Sequence, residues 1–126
     1  MWGKIVSVNV GANADGVEEM TLRNELGQEV KLTLHGDCCS GSFFEALSVA
    51  DAKALVGQEL RQIATLKSSS IEDHGEMDHL VCRYHAIKIT TDQGVTVLDW
   101  RNESNGYYDG ECVVSGFGDP RPVEVA

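Results

Sequence analysis

The most constraining feature of this chain is a pair of alternating segments on either side of a short polar connection. Met20–Asn24 and Val30–His35 place apolar and polar side chains in turn, and Glu25–Gln28 separates them. Alternation with a period of two is typical of a strand that buries one face, whereas a helix repeats its apolar residues every three or four positions. The pattern therefore predicts a β-hairpin and favours a fold built from half-buried antiparallel strands.

Length and hydrophobic content indicate one globular unit. The chain has 126 residues, of which 42% are hydrophobic, and this predicts a single domain over residues 1–126. No apolar run approaches the roughly 20 residues that span a bilayer, and the alternating N-terminus does not resemble a signal peptide. We therefore expect a cytoplasmic protein with no membrane partner.

The charge is strongly acidic, with 20 Asp and Glu residues against 10 Lys and Arg residues and a net charge of −10. This charge opposes direct binding to nucleic-acid phosphates and favours solubility or a basic partner. One alternative is that the protein mimics nucleic acid and occupies the basic groove of another protein. The acidic residues are interleaved with basic ones, which is equally typical of a solvated surface.

Five further segments carry the β-branched and aromatic residues typical of strands. They are Lys4–Val10, Glu59–Leu66, Leu80–Thr90, Val95–Arg101 and Tyr107–Val114. Thr91–Gly94 is predicted to turn between two of them, and Asn105-Gly106 is predicted to be the tight turn of a hairpin before the last. We expect an α+β protein, rich in β structure, with a predominantly antiparallel sheet of about six or seven strands and one short helix.

The hydrophobic period changes once along the chain. Ser48 is predicted to cap a helix over residues 48–56, and Gly57 is predicted to end it in the left-handed region. Lys67–Asp78 is rich in serine and acidic residues and is predicted to be a mobile surface loop. The tail from about residue 116 is predicted to be irregular.

Aromatic and polar residues concentrate around the predicted Asn105-Gly106 turn. The candidate ligand- or partner-binding residues are Trp100, Arg101, Asn102, Glu103, Asn105, Tyr107 and Tyr108. Their polar groups could line a shallow pocket beside an aromatic wall, which would suit a nucleotide, a sugar or a peptide. The alternative is structural, because aromatic rings facing each other across a hairpin stabilise it without any ligand.

The cysteines and histidines form a second candidate cluster. A zinc site could draw on His35, Cys38, Cys39 and Cys82, although no CxxC pair is present, and His35 could instead activate a nucleophilic Cys38 or Cys39. The structural alternative is that one of the adjacent thiols packs into the core and the other faces solvent. All four cysteines are expected to be free thiols in a reducing compartment. We expect the remaining histidines of this region, His74, His79 and His85, to be surface residues.

Three motifs together resemble a known family. They are Asp37-Cys38-Cys39, Leu55-Val56-Gly57, and Trp100 followed by Glu103-Ser104-Asn105-Gly106-Tyr107-Tyr108. They are similar to those of a family of small domains of unknown function that is associated with bacteriophage and prophage genomes, and the resemblance extends from Met20 to Val114. It implies no activity, cofactor or catalytic residue, but it implies a role in managing the host, such as action against an immune system.

These observations favour a non-enzymatic phage or prophage binding protein. It would engage and inhibit a host defence protein, or it would sequester a small, nucleotide-like ligand, in the cytosol of the host cell. The main alternative is a zinc-stabilised domain or a small enzyme that uses the Cys38/Cys39 cluster.

Overall fold

The computed structural model describes residues 2–14, 16–36, 41–73, 81–104, 110–116 and 123–125. This part of the chain contains nine strands and one short helix. They are β1 (Ile5–Ala12), β2 (Glu18–Asn24), β3 (Glu29–Gly36), β4 (Gly41–Phe44), α1 (Ala46–Lys53), β5 (Leu60–Asp73), β6 (Val81–Thr91), β7 (Gly94–Ser104), β8 (Gly110–Ser115) and β9 (Val123–Val125). The predicted α+β, β-rich class is confirmed, and the strands outnumber the predicted about six or seven.

The strands form two sheets rather than one. The first has the order β1-β2-β3-β8 and the second has the order β4-β7-β6-β5-β9. Neighbouring strands are antiparallel except β5 and β9, which are parallel. The predicted hairpin is confirmed as β2 and β3, in which Met20 faces Leu32 and Leu22 faces Val30.

A single apolar cluster contains side chains from both sheets. Its fully buried members from the first sheet are Ile5, Met20, Leu22, Val30, Leu32 and Leu34, and those from the second are Leu60, Ile63, Ile87, Ile89 and Leu98. Each fully buried aliphatic side chain contributes about 1.5–3 kcal/mol relative to an exposed one. Burial of this cluster is therefore the main force that holds the two sheets together.

The edge of β1 near its start is covered by the chain that follows the helix. The N–H of Ile5 donates to the carbonyl of Gln58 at 2.9 Å, and the N–H of Gly57 donates to the carbonyl of Ile5 at 2.8 Å. Gly57 has the predicted left-handed conformation, with a φ of 92°, but the predicted end of the helix at residue 56 is wrong, because the helix ends at Lys53 with Ala54 as its right-handed C-cap. A left-handed residue here turns the chain back onto β1, so the segment after the helix connects the two sheets.

The predicted N-cap of the helix is wrong. The helix begins at Ala46, its N-cap is Glu45, and no side chain caps it. Ser48 is buried inside the first turn, where its Oγ accepts a hydrogen bond of 2.7 Å from the N–H of Asp99 in β7. The hydroxyl therefore satisfies the backbone of a neighbouring strand rather than that of its own helix.

The predicted loop Lys67–Asp78 is wrong for residues 67–73, which belong to β5. The pairing with β6 resumes at Ser70 opposite Tyr84 and continues to Asp73 opposite Val81, after an irregularity that follows Leu66. Backbone hydrogen bonds between two strands do not require apolar side chains, so composition was a poor guide here. Residues 74–78 lie outside the described part of the chain.

The predicted irregular tail is wrong for Val123–Val125, which pair with β5 in parallel. Sequence composition around the two prolines gave no sign of this pairing, because the partner strand is about sixty residues away in the chain. Residues 117–122 and 126 lie outside the described residues.

The last long strand does not form a hairpin with β7 as predicted. β8 pairs with β3 in the first sheet, with Cys112 opposite Leu34 and Val114 opposite Leu32. The end of β7 already has β4 on one side and β6 on the other, so neither of its edges is available there. Asn105 and Gly106, the predicted turn residues, lie outside the described residues.

Candidate functional site

The predicted binding segment at the end of β7 places its described side chains on opposite faces of the strand. Trp100 and Asn102 are buried, 3% and 0% exposed, on the face toward the core. Arg101 and Glu103 are half-buried on the other face. Adjacent strand residues necessarily alternate, so these four side chains do not line one surface. Asn105, Tyr107 and Tyr108 lie outside the described residues.

Trp100 stacks on His85, which lies opposite it on β6. The ring centroids are 4.1 Å apart and the planes differ by 14°. His85 is 8% exposed, so its predicted surface position is wrong. It lies two residues before Ile87, and positions separated by two share one strand face. The indole Nε1–H of Trp100 is buried and has no hydrogen-bond acceptor among the described residues.

Asn102 connects the second sheet to the first through Ser42. Its Nδ2 donates to Ser42 Oγ at 3.0 Å, and Ser42 Oγ donates to the carbonyl of His35 at 3.2 Å. Ser42 lies on β4, between β7 and the end of β3. The buried amide of Asn102 therefore orients a hydroxyl group at the boundary between the two sheets.

Arg101 extends from the opposite face of β7 to the residue before the helix. Its Nε donates to Glu45 Oε1 in a salt bridge, with the Arg101 side chain 38% and the Glu45 side chain 27% exposed. The segment from β4 to α1 is thereby attached to β7 by a charged pair on one side and by the Ser48 hydroxyl on the other.

A second contact between the sheets involves Glu18, at the start of β2. Its Oε1 accepts a hydrogen bond of 3.0 Å from the N–H of Phe44 at the end of β4. Its Oε2 accepts no hydrogen bond from any described residue. Because the backbone amide fixes one carboxylate oxygen, the other is held in a defined position at the boundary between the sheets.

The contacts of Glu18 and Ser42 lie at a cleft of about 380 Å³ between the sheets. We call it the sheet-seam cleft; its lining residues are Val10, Gly11, Ala12, Gly16, Val17, Glu18, Leu34, Gly41 and Ser42. Clefts of about 300–1,000 Å³ with apolar walls and a few polar groups are typical of small-molecule sites. Here the partly buried Val10 and Val17 supply apolar surface, Leu34 lies behind it in the core, and Glu18 and Ser42 supply the side-chain polar groups.

Glu18 and Ser42 are the two side chains in the described lining of the cleft that can form hydrogen bonds with a ligand. Ser42 would need a neighbouring base to act as a nucleophile, but its hydroxyl proton goes to the main-chain carbonyl of His35. Glu18 is the only ionisable residue in the described lining. Within the described lining, one carboxylate and one hydroxyl can orient a ligand that carries hydrogen-bond donors.

The zinc candidates are only partly within the described chain. His35 is exposed, and Cys38 and Cys39 lie outside the described residues. The backbone of Cys82 lies in β6, but its side chain is outside the described part. Among the residues that the structure describes, no three His, Cys, Asp or Glu side chains are grouped as metal ligands.

Cys112 is a free thiol that packs against the core from β8. Burial, and to a lesser extent the negative charge of Glu111, together raise the pKa of this thiol from 9.0 to about 12. The thiol therefore stays protonated at neutral pH and is a poor nucleophile.

Asn102, which orients Ser42, was among the residues predicted from the sequence, whereas Glu18 and Ser42 were not. The available signal was the concentration of small residues in Gly11–Gly16 and Ser40-Gly41-Ser42, which leaves space beside the backbone. Two such segments form a cleft only if the tertiary structure places them side by side, and nothing in their spacing predicts that.

Among the described residues, no helix has the length and apolar character that crossing a membrane requires. No curated protein and no solved structure matches the chain. A family model described as "Domain of unknown function (DUF7448)" matches residues 1–114, which is most of the sequence. The chain therefore belongs to the DUF7448 family of domains of unknown function.

Proposed function

We propose that this protein is a non-enzymatic binding domain that holds a small ligand in the sheet-seam cleft. The observation that carries the proposal is the convergence of the Glu18 carboxylate and the Ser42 hydroxyl on a cleft of about 380 Å³ whose lining is partly polar and partly apolar. Glu18 accepts from the N–H of Phe44 and Ser42 donates to the carbonyl of His35, and both hydrogen bonds cross between the sheets, so the cleft needs little reorganisation before it binds. Such preorganisation lowers the entropic cost of association.

The resemblance to phage and prophage domains suggests the biological context in which this protein would bind its ligand. We propose that the protein acts in the cytosol of a bacterial host and sequesters a small molecule on which a host defence system depends. The net charge of −10 supports a role that avoids nucleic acid, since phosphate backbones would be repelled. Binding without turnover agrees with the absence of an activated nucleophile from the described lining of the cleft.

The test is a fragment screen by amide NMR on the full chain, with a variant that fills the cleft. Ala12 shares the cleft-lining side of β1 with Val10, so Ala12→Leu adds bulk where a ligand would lie. Asn9→Leu adds the same side chain to the exposed side of the same strand and is the matched control. Saturable shifts at cleft amides that Ala12→Leu abolishes and Asn9→Leu retains would support the proposal. A screen without cleft shifts would overturn it.

A second candidate function, engagement of a host protein, is favoured by the outer face of β7. Val95 and Val97 are 57% and 47% exposed there, on the same side of the strand as Arg101 and Glu103. Apolar residues beside charged ones are typical of transient protein interfaces. Capture from host lysate by the wild type but not by Arg101→Ala, Glu103→Ala or Asn105→Ala would support it, provided that each variant melts within a few degrees of the wild type. Equal capture by all three variants would overturn it.

A further inference from the structure

We propose that the ligand of the sheet-seam cleft is a small organic cation, an alkyl amine or alkyl guanidine whose head group contacts Glu18. The inference rests on the proposed binding function and adds the chemical class of the ligand. It follows from which hydrogen-bonding atoms of the cleft are already occupied and which are free.

Glu18 provides a fixed negative acceptor. Its Oε1 is held by the N–H of Phe44, and its Oε2 accepts no hydrogen bond from any described residue. A carboxylate fixed by a backbone amide keeps its charge in place without losing further side-chain freedom when a ligand arrives. Hydrogen bonds between a cation and a carboxylate are roughly twice as strong as neutral ones, so an ammonium or guanidinium group suits this position.

Ser42 also presents only an acceptor to the cleft. A hydroxyl has one proton and two lone pairs. The proton is donated to the carbonyl of His35, and one lone pair accepts from Asn102 Nδ2. The remaining lone pair can only accept, so Ser42 and Glu18 both require donor groups on the ligand.

The loop amides of the cleft are not available for an anion. The N–H of Gly16 donates to the carbonyl of Asn13 at 2.9 Å, and the N–H of Val17 donates to Asn13 Oδ1 at 3.3 Å. Phosphate sites usually depend on several free backbone N–H groups that point at the ligand. Here those two amides are occupied and the nearest charge is a carboxylate, which argues against the nucleotide-like ligand expected from the sequence.

The rest of the cleft fits the remainder of such a cation. Val10 and Val17, which are partly exposed, offer apolar surface to a short alkyl chain, and the net charge of −10 attracts cations to the protein as a whole. The cationic head group would therefore contact the Glu18 carboxylate, and the alkyl tail would contact apolar side chains.

The experiment titrates the full chain with four probes that share a butyl tail, with amide NMR as the readout. Butylamine and butylguanidine should give saturable shifts at cleft amides, whereas 1-butanol and butyl phosphate should give none at the same concentration. Glu18→Gln keeps a side-chain oxygen for the N–H of Phe44 but removes the charge, and it should weaken butylamine binding about tenfold or more, which is about 1.4 kcal/mol or more. Glu111→Gln, an exposed site on β8, makes the same charge change outside the cleft and should alter the affinity less than about twofold.

The outcomes separate this inference from the function on which it rests. Equal butylamine binding by wild type and Glu18→Gln would overturn the cationic ligand. Tighter cleft binding of butyl phosphate or 1-butanol would also overturn it and would leave the binding function standing if Ala12→Leu abolishes those shifts. The absence of cleft shifts with all four probes would contradict the cationic ligand, and the fragment screen then decides the binding function separately.

Discussion

Asn102, on β7, donates a hydrogen bond of 3.0 Å to the hydroxyl of Ser42, on β4. The amide of Asn102 is completely buried, and the hydroxyl that it orients belongs to the wall of the sheet-seam cleft. Asn102 was predicted to bind a ligand directly, but its side chain is buried in the protein and contacts the cleft-lining residue Ser42 instead. Asn102 would therefore influence the proposed ligand through the position of Ser42.

We expect Asn102→Ala to lower the free energy of unfolding by about 2 kcal/mol, because it removes a buried hydrogen bond and leaves a small cavity. Urea denaturation followed by tryptophan fluorescence measures the change. Asp99→Ala, at an exposed position on the same strand, should change stability by less than about 0.5 kcal/mol. Equal stability of the two variants would contradict a structural role for the Asn102 amide.

The salt bridge between Arg101 and Glu45 should contribute little to stability. Both side chains are partly exposed, at 38% and 27%, so solvent screens their attraction. A double-mutant cycle with Arg101→Ala, Glu45→Ala and the double variant should give a coupling of about 0.2–1 kcal/mol that falls as salt is added. A coupling above about 2 kcal/mol, or one that is independent of salt, would show that the pair is effectively shielded from solvent.

Substitution of Asn24 should destabilise the fold more than substitution of most other polar residues. Its Nδ2 donates to the carbonyl of Trp2 at 2.6 Å and to Gln28 Oε1 at 2.8 Å, and its Oδ1 accepts from the N–H groups of Leu26 and Gln28. It is 1% exposed, so Asn24→Ala would leave several buried groups unsatisfied and should cost about 2–4 kcal/mol. Asn9→Ala, at an exposed strand position, is the control and should cost less than about 0.5 kcal/mol in thermal or urea unfolding.

Two glycines with similar backbone angles should respond very differently to alanine. Gly116 has a φ of +100°, and a Cβ added there would lie 2.0 Å from the carbonyl oxygen of Glu29. Gly27 has a φ of +82°, and a Cβ there would meet nothing within 4 Å. Gly27→Ala should lower the free energy of unfolding by about 1 kcal/mol, from backbone strain alone. Gly116→Ala should lower it by about 3 kcal/mol or more, because the backbone must also move to make room for the Cβ. Similar losses for both in urea unfolding would contradict the close approach at Gly116.

The buried thiol of Cys112 should be protected from alkylation and should make stability depend on alkaline pH. Because burial raises its pKa to about 12 from 9.0, its thiolate fraction near pH 8 falls by about 1,000-fold. Peptide-level mass spectrometry should show labelling of folded Cys112 at least about 100-fold slower than labelling of the unfolded chain. Alkylation at the unfolded rate would contradict the burial of this thiol.

The sign of the pH effect follows from which state holds the proton. Between pH 9 and about 12, the unfolded thiol loses its proton while the folded thiol keeps it. The stabilisation is therefore complete below pH 9 and is lost as the pH rises toward 12, by at most about 1.4 kcal/mol per unit. The free energy of unfolding should fall less between pH 8 and pH 10 in Cys112→Ala than in the wild type, because the variant has no thiol to ionise in the unfolded state.

Local structure was largely predictable from the sequence, because the period of the hydrophobic pattern is a local property. The β2–β3 hairpin followed from the alternation of Met20, Leu22, Val30 and Leu32, and the left-handed turn at Gly57 followed from residue type. Alternation also determines that Trp100 and Arg101 point to opposite sides of β7, although composition alone had grouped them as one site.

The partners of the strands and the location of the cleft were decided only by the tertiary structure. Whether β8 pairs with β7 or with β3 depends on which strand edges are free, and the end of β7 was already flanked by β4 and β6. Glu18 and Phe44 meet because two sheets bury a common apolar cluster, not because of their spacing along the chain. Hydrophobic burial is non-directional, so the sequence determines which faces become buried, whereas packing of the complete chain determines which polar groups those faces bring together.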